Sequence, residues 1–242
     1  MHKPMRQDIH NADIPVLCRA CEARHGGVCG ALTPQQLLKL GRQTTRQEVP
    51  SGTELVAAGA PIEWYANILS GIVKLTKLMR DGRQQIVGLQ FAPDFMGRPF
   101  ARYSDVSVEA ASTVRLCSFP KASLETMIRE APELEHRLYQ QSLRQLDEAQ
   151  EWMMTLGRKS AEERVTSFLL LVARHLDPEN KAPAGPVELP MKRSDIADFL
   201  GLTIETVSRQ FTSLRKSGVI RIERYRFIWI NDYAALEAAA GA

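Results

Sequence analysis

The sequence predicts an α+β protein with three parts: an N-terminal β-roll of jelly-roll type, one long helix, and a C-terminal winged helix-turn-helix. Three observations predict it. Turn signals punctuate the stretch from Gln47 to Pro120 at the even spacing of short strands in a β-roll. An apolar stripe at heptad spacing follows Pro132. Near the C-terminus two short amphipathic segments meet at Gly201, and two β-prone runs follow around a basic tip.

The 242-residue chain, 44% hydrophobic and 24% charged, is long enough for one large or two ordinary domains with real cores. The first seventeen residues lack a signal-peptide core, and the longest apolar run, Phe168 to Ala173, is too short to span a bilayer. No membrane partner and a cytoplasmic location are therefore expected. In that reducing setting clustered cysteines point to metal or redox chemistry before a structural disulfide.

Taken in order, residues 1–32 form an arm that carries Cys18, Cys21 and Cys29. Cys18 and Cys21 are spaced to turn two sulfurs toward one centre, and Gly26-Gly27 let the chain fold back to bring Cys29 there. Three local sulfurs leave a tetrahedral metal or a cubane cluster one ligand short, and Cys117 is the one cysteine left. Residues 33–131 make the roll, entered by a helix over Gln35–Leu40 with Thr33 as N-cap and Pro34 in its first turn. Asp81-Gly82 joins the runs Ile72–Met79 and Gln85–Phe91 as a tight hairpin. Lys121–Ile128 reads as a helix.

Residues 132–159 form the long helix, with a pairing seam at Tyr139, Ser142, Leu146, Ala149, Met153 and Leu156. Ser142 and Ala149 are small, so the seam predicts a homodimer that is held weakly. Residues 160–242 open with a capping box, Ser160 to Glu163, and a helix over Ala161–Leu176. A loop from Asp177 to Pro186 follows. Ser194 is expected to cap a helix over Asp195–Leu200, and Thr203 a second over Ile204–Ser217, with Gly201 at the turn. Val219–Ile222 and Phe227–Ile230 flank an Arg-Tyr-Arg tip as a wing. From Met191 to Arg226 eight Lys/Arg face four acids. On the second helix Glu205, Ser208 and Arg209 share one face, opposite Val207, Phe211 and Leu214. Arginine can bond guanine bidentately and glutamate can accept from cytosine, so these three are the candidate base readers of double-stranded DNA.

On these residues the chain resembles the Crp/Fnr superfamily, and within it the Fnr-type oxygen regulators. Glu205-Thr-Val-Ser208-Arg209 is similar to the Fnr pattern Glu-x-x-Ser-Arg, which implies a two-fold symmetric site with TTGAT-like half-sites. Cyclic-nucleotide-binding relatives carry a Gly-Glu-Leu segment and a downstream Arg-Ser or Arg-Thr pair; here the matching segments read Met96-Gly97-Arg98-Pro99 and Val108-Glu109-Ala110. The phosphate-binding arginine is missing, and Glu109 is expected to repel a phosphate, so no cyclic nucleotide is expected. The resemblance implies a [4Fe-4S] cluster on Cys18, Cys21, Cys29 and Cys117. The spacing between the second and third cysteines is longer than in the enteric form and similar to that of alphaproteobacterial Fnr proteins. It also implies that oxygen dismantles the cluster and releases DNA, and that the Asp81-Gly82 hairpin touches RNA polymerase. Arg19, Arg24 and His25 are candidates to offset the cluster's charge. Two alternatives stay open: a structural zinc site that recruits His25, and a Cys18–Cys21 disulfide. No P-loop, dinucleotide-binding glycines or nucleophile elbow indicates an enzyme.

Overall fold

The computed structural model describes residues 14–19, 21–176, 185–224 and 226–241. It divides into two compact bodies, Met1–Leu75 with Leu89–Gln145, and Thr76–Gly88 with Leu146–Ala242. Most of the loop expected from Asp177 to Pro186, and Tyr225 in the wing tip, lie outside the described residues. Among the described residues no helix is long and apolar enough to cross a membrane.

The first body begins with the arm: α1 (Val16–Arg19), α2 (Glu22–Gly26) and a 3-10 turn over Val28–Ala31. Helix α3 (Pro34–Gly41) follows, and its start is fixed by the expected cap. Gln36 N donates to Thr33 Oγ1 at 3.3 Å, and Thr33 N donates back to Gln36 Oε1 at 2.9 Å.

Eight short strands then build two four-stranded sheets: β1 (Thr45–Val49), β2 (Glu54–Val56), β3 (Trp64–Ser70), β4 (Ile72–Leu78), β5 (Gln84–Phe91), β6 (Phe95–Met96), β7 (Ser107–Ala110) and β8 (Val114–Pro120). The sheet orders are β1-β8-β3-β6 and β2-β7-β4-β5. The β4–β5 connection over Met79–Arg83 is five residues long, and within it Arg83 N donates to Asp81 Oδ1 at 3.1 Å.

Side chains alternate along a strand, and this alternation gives the first sheet two buried faces. Ala66 and Ile68 of β3, Met96 of β6, and Val114 and Leu116 of β8 point inward, onto Val73, Val108 and Ala110 of the second sheet. Their neighbours Tyr65, Phe95, Cys117 and Phe119 point the other way. They are covered by Leu37 and Leu40 of α3, by the arm residues Ile14 and Val28, and by α4 (Lys121–Glu130).

Helix α5 (Pro132–Arg158) starts at Pro132 itself, suiting proline in a first turn. Its buried Gln141 clamps both backbone groups of Phe95, accepting from the N–H at 3.2 Å and donating to the carbonyl at 3.1 Å.

The second body holds the β4–β5 tip, the later turns of α5 and helix α6 (Ala161–Leu176). Helix α6 opens on the capping box, with Ser160 N donating to Glu163 Oε2 at 2.7 Å. Next come β9 (Val187–Glu188), α7 (Arg193–Leu200), α8 (Ile204–Lys216), β10 (Ile220–Glu223), β11 (Phe227–Ile230) and α9 (Tyr233–Ala239). The wing is a three-stranded sheet, because β9 joins the outer edge of β11. Gln84 Nε2 donates to Asp198 Oδ2 at 2.6 Å and Gln85 Nε2 to Phe199 O at 3.1 Å, which holds the hairpin tip to α7. Ser194 does not cap α7. The helix begins at Arg193, two residues before the expected Asp195, Lys192 takes the extended N-cap position, and no side chain caps it.

Two glycines share a left-handed backbone in different surroundings. At Gly71 (φ +86°) an added Cβ would lie 2.3 Å from Thr113 O; at Gly82 (φ +85°) it would meet nothing within 4 Å. The left-handed conformation alone costs an L-residue about 1–2 kcal/mol. Gly82→Ala should therefore lose about 1 kcal/mol, and Gly71→Ala, which must also shift a strand, at least about 3 kcal/mol. Urea unfolding of the two variants against the parent checks the difference. Equal losses would show that the β3–β4 turn relaxes freely.

Candidate cysteine centre and nucleic-acid interface

The arm brings its three cysteines inward through a succession of tight turns. Cys18 N donates to Pro15 O at 2.7 Å, Cys21 N to Cys18 O at 3.3 Å, and Arg24 N to Cys21 O at 3.0 Å. The glycines act differently from the expectation that they fold the chain back by conformational freedom. Gly27 has an ordinary φ of −93°. Gly26 and Gly30 are required for space: an added Cβ would sit 2.8 Å from Pro93 Cγ at Gly26 and 2.7 Å from Arg24 O at Gly30.

Cys18, Cys21, Cys29 and Cys117 line one cavity of about 20 Å³. Its other walls are Leu37, Leu40, Gly41, Leu69 and Phe119, with Arg24, Thr44, Arg46 and Asn67 as the polar side chains around the sulfurs. All four cysteines are free thiols in this structure. Among the described residues no group of three or more His, Cys, Asp or Glu is placed to hold a metal ion. His25 is not part of the lining, and its Nε2 lies 3.3 Å from Arg24 Nη2.

Burial in this apolar setting pushes the Cys29 thiol up to about 12, with the neighbouring Cys117 sulfur adding to the shift. Burial likewise pushes Cys117 up to about 11, against the opposing pull of the Arg46 guanidinium. Cys18 is raised by burial and by Cys21. At neutral pH such sulfurs stay protonated unless a cation replaces the proton.

Two side chains of the site were not singled out in the sequence. Arg46 of β1 is the cross-strand partner of Cys117, and so is Asn67 of β3 on the other side. Asn67 Nδ2 donates to Cys29 Sγ at 3.1 Å. Of the charge-balancing residues expected, Arg24 lines the cavity, whereas Arg19 donates its Nε to Ile14 O at 2.9 Å.

The arm is tied to α5. Arg137 Nη2 donates to His25 O at 3.4 Å and to Gly26 O at 3.3 Å. On α5 the expected seam lies on the open side of the helix. Tyr139, Leu146 and Met153 are 60%, 52% and 66% exposed. Ser142 and Ala149 are also exposed and Leu156 is half-buried. Leu143 and Met154, which the seam did not include, are exposed apolar residues as well.

The roll segments read against nucleotide binding behave differently from expectation in one respect. Val108 faces the apolar interior, and Glu109 turns to the opposite face, where it pairs with the nearly buried Lys74 at 2.9 Å. Strand alternation puts Glu109 outside the interior it was expected to charge. Arg98 pairs with Asp105.

In the second body Gly201 (φ +60°) turns α7 into α8, and Thr203 caps α8 by accepting from Thr206 N at 3.2 Å. Val207, Phe211 and Leu214 are buried, and Arg193 lies 3.2 Å over the Phe211 ring. The opposite face presents Glu205, Ser208 and Arg209 to solvent, as the sequence spacing requires. Ser208, Arg209, Thr212, Ser213 and Lys216 line a shallow groove along it. Thr206 Oγ1 accepts from Arg209 Nη2 at 3.1 Å, which braces the guanidinium. The Glu205 carboxyl is held below the usual range by its own backbone amide, by Thr203 and by Arg209, so it is charged and an acceptor. Arg221 stacks on Trp229 in the wing, and Arg224 adopts φ +47° at its tip.

Comparison with known proteins agrees with this architecture. Residues 163–239 match the Crp-like helix-turn-helix domain, and residues 46–131 match the cyclic nucleotide-binding domain. A "Probable transcriptional activator" of Rhizobium leguminosarum bv. viciae is 52% identical over 98% of each chain. The transcriptional activator protein FnrL of Cereibacter sphaeroides is 36% identical over 93% of this chain and 92% of its own. The structure of FixK2 from Bradyrhizobium japonicum superimposes with a TM-score of 0.75 and 31% identity, covering 82% of this chain and 98% of that one. With near-full-length identity at these levels, the chain belongs to the Crp/Fnr family of DNA-binding transcription regulators.

Proposed function

We propose that this regulator responds to oxygen through a [4Fe-4S] cluster held by Cys18, Cys21, Cys29 and Cys117. The observation that carries the reading is that one strand cysteine and three arm cysteines line a single cavity. The donor set fits, since four thiolates are the usual ligands of such a cluster and their softness suits iron and sulfide. Protons displaced from buried Cys29 and Cys117 leave charge that Arg46 and Arg24 stand beside. A cavity of about 20 Å³ holds about one water, so loading requires the arm to widen around Cys117.

When bound, the cluster supplies an oxygen-labile cross-link. The rest is done by the chain's own residues. Cys117 anchors the cross-link in β8, and Arg137 passes the arm's position to α5 through the carbonyls of His25 and Gly26. The exposed stripe of α5 then pairs with that of a second copy, and two copies of α8 present Glu205, Ser208 and Arg209 to the half-sites of a palindromic TTGAT-type duplex. The protein acts in the cytoplasm under low oxygen, and the Asp81-Gly82 hairpin is its contact for RNA polymerase. No cyclic nucleotide is needed: the roll interior is apolar, with Val108 in the segment that carries the phosphate-binding arginine in nucleotide-binding relatives.

The direct test is purification without oxygen, followed by iron and sulfide analysis, visible absorption and binding to a TTGAT palindrome before and after air. Colourless, iron-free protein that binds DNA equally in both states would overturn the reading.

Three outcomes follow from the residues. Cys117→Ser should lose iron and sulfide, while His25→Ala should keep both. Colour loss in the histidine variant would instead indicate a mixed-ligand site.

Arg209→Ala should cost about 1–3 kcal/mol on the cognate duplex and far less on random DNA at the same salt, because it reads a base edge. Equal losses on both would make it a phosphate contact.

Ala149→Leu adds three carbons per subunit to an exposed seam position. Buried in a pair, they are worth about 4–5 kcal/mol over two subunits, or about half that if the crossing strains. Sedimentation of the cluster-free variant at micromolar concentration should show dimer. A monomer would place Ala149 off the seam.

A further inference from the structure

The row of side chains across the first sheet contains one whose chemistry the cluster ligands do not explain. Asn67 stands opposite Cys117 in the β3–β8 ladder, and Cys117 stands opposite Arg46 in the β1–β8 ladder. Directly opposed residues share a face, so Arg46, Cys117 and Asn67 lie side by side beneath the arm. Asn67 is 2% exposed and stands among Leu69, Phe119, Leu37 and Leu40, with Thr44, Arg24 and Arg46 also lining the cavity. Its Nδ2 donates to Cys29 Sγ at 3.1 Å, and its Oδ1 is buried with no hydrogen-bond partner.

Burying an amide with an unsatisfied oxygen costs about 1–3 kcal/mol, and a leucine of the same outline would fill the wall without that cost. The N–H group is the half of the amide that is used. Its acceptor is a sulfur, and the direction of the bond matters. A donor stabilises a sulfur that carries negative charge, as a thiolate bound to metal does. With the amide turned over, Oδ1 would face the sulfur and suit a neutral thiol instead. Hydrogen bonds to ligand sulfurs tune both the reduction potential and the metal affinity of such centres.

We infer that Asn67 is a positioning residue of the cysteine centre: its amide N–H holds the Cys29 sulfur toward the metal, draws negative charge from it, tightens iron retention and raises the reduction potential. This rests on the iron–sulfur reading above. It goes beyond the four ligands by assigning a tuning group on a different strand from any of them.

The test uses the full chain purified without oxygen, as wild type, Asn67→Leu, Asn67→Ala and Asn67→Gln. Leu and Ala remove the donor, with and without filling the space, and Gln retains it. Iron and sulfide content, midpoint potential and iron loss to a chelator in the absence of oxygen are measured. Circular dichroism of the metal-free proteins reports the fold. The expected result is that wild type and Gln load and titrate at similar potentials. Leu and Ala should titrate at a more negative potential and retain iron about tenfold less well. A Leu or Ala variant, folded and loaded, with wild-type potential and retention overturns the assignment of Asn67 alone. So does a Gln variant that falls with the donor-free pair, since that marks a role in packing only. Wild type without iron overturns the cluster reading, and this inference with it.

Discussion

Everything in the first body depends on a conflict between sulfur chemistry and burial. Four cysteines line one apolar cavity, and burial there opposes the ionisation of Cys18, of Cys29, pushed to about 12, and of Cys117, pushed to about 11. A thiolate in such a place needs a cation or a donor, and the sheet supplies both from positions fixed by register: Arg46 on one side of Cys117 and Asn67 on the other. The arm is too short to build a core of its own. It borrows one, setting Ile14, Val28 and Leu32 against Leu37, Leu40 and Phe119. What happens at the sulfurs therefore bears directly on whether the arm stays docked.

That dependence reaches α5 by short links. The carbonyls of His25 and Gly26 meet Arg137, and one turn further along Gln141 grips both backbone groups of Phe95. Phe95 is itself the ladder partner of Asn67. The helix is thus held from the arm on one side and from the strand row beneath the cysteines on the other. Its open side carries Tyr139, Leu143, Leu146, Met153 and Met154, large apolar residues that water disfavours, interspersed with Ser142 and Ala149. A surface of this kind gains from pairing with a like surface.

How much of this the sequence disclosed depended on whether the signal was local. The N-cap at Thr33, the capping box at Ser160, the turn at Gly201, and the split of α8 into Val207-Phe211-Leu214 and Glu205-Ser208-Arg209 are relations within a few residues. Each appears where its pattern placed it. Cys117 could be assigned from afar because no other cysteine remained. Arg46 and Asn67 could not, since they meet Cys117 through a register linking positions 46, 67 and 117, which no local pattern encodes. The same reason hid the pairing of β9 with β11. Ser194 misled because serine is a good cap wherever the backbone is extended before a helix, and here the extended residue is Lys192. The arm glycines misled differently: freedom of φ was expected, and closeness to Pro93 and to Arg24 O is what they provide.

The strand period also separates two uses of one roll. A domain of the cyclic nucleotide-binding type has an interior between its sheets and an outer face under its helices. Here the interior is filled by Val49, Ile68, Val73, Met96, Val108, Val114 and Leu116, which offer an anion no donor. The residue next to Val108, Glu109, points away to an ion pair with the nearly buried Lys74 at 2.9 Å. The outer face of the first sheet carries Arg46, Asn67 and Cys117 instead. A shift of one residue in β8 would exchange these faces, turning Cys117 inward and Leu116 toward the arm. The register of β8 between β1 and β3, set by the apolar pattern of its inward residues, therefore decides that the roll meets the arm through sulfur.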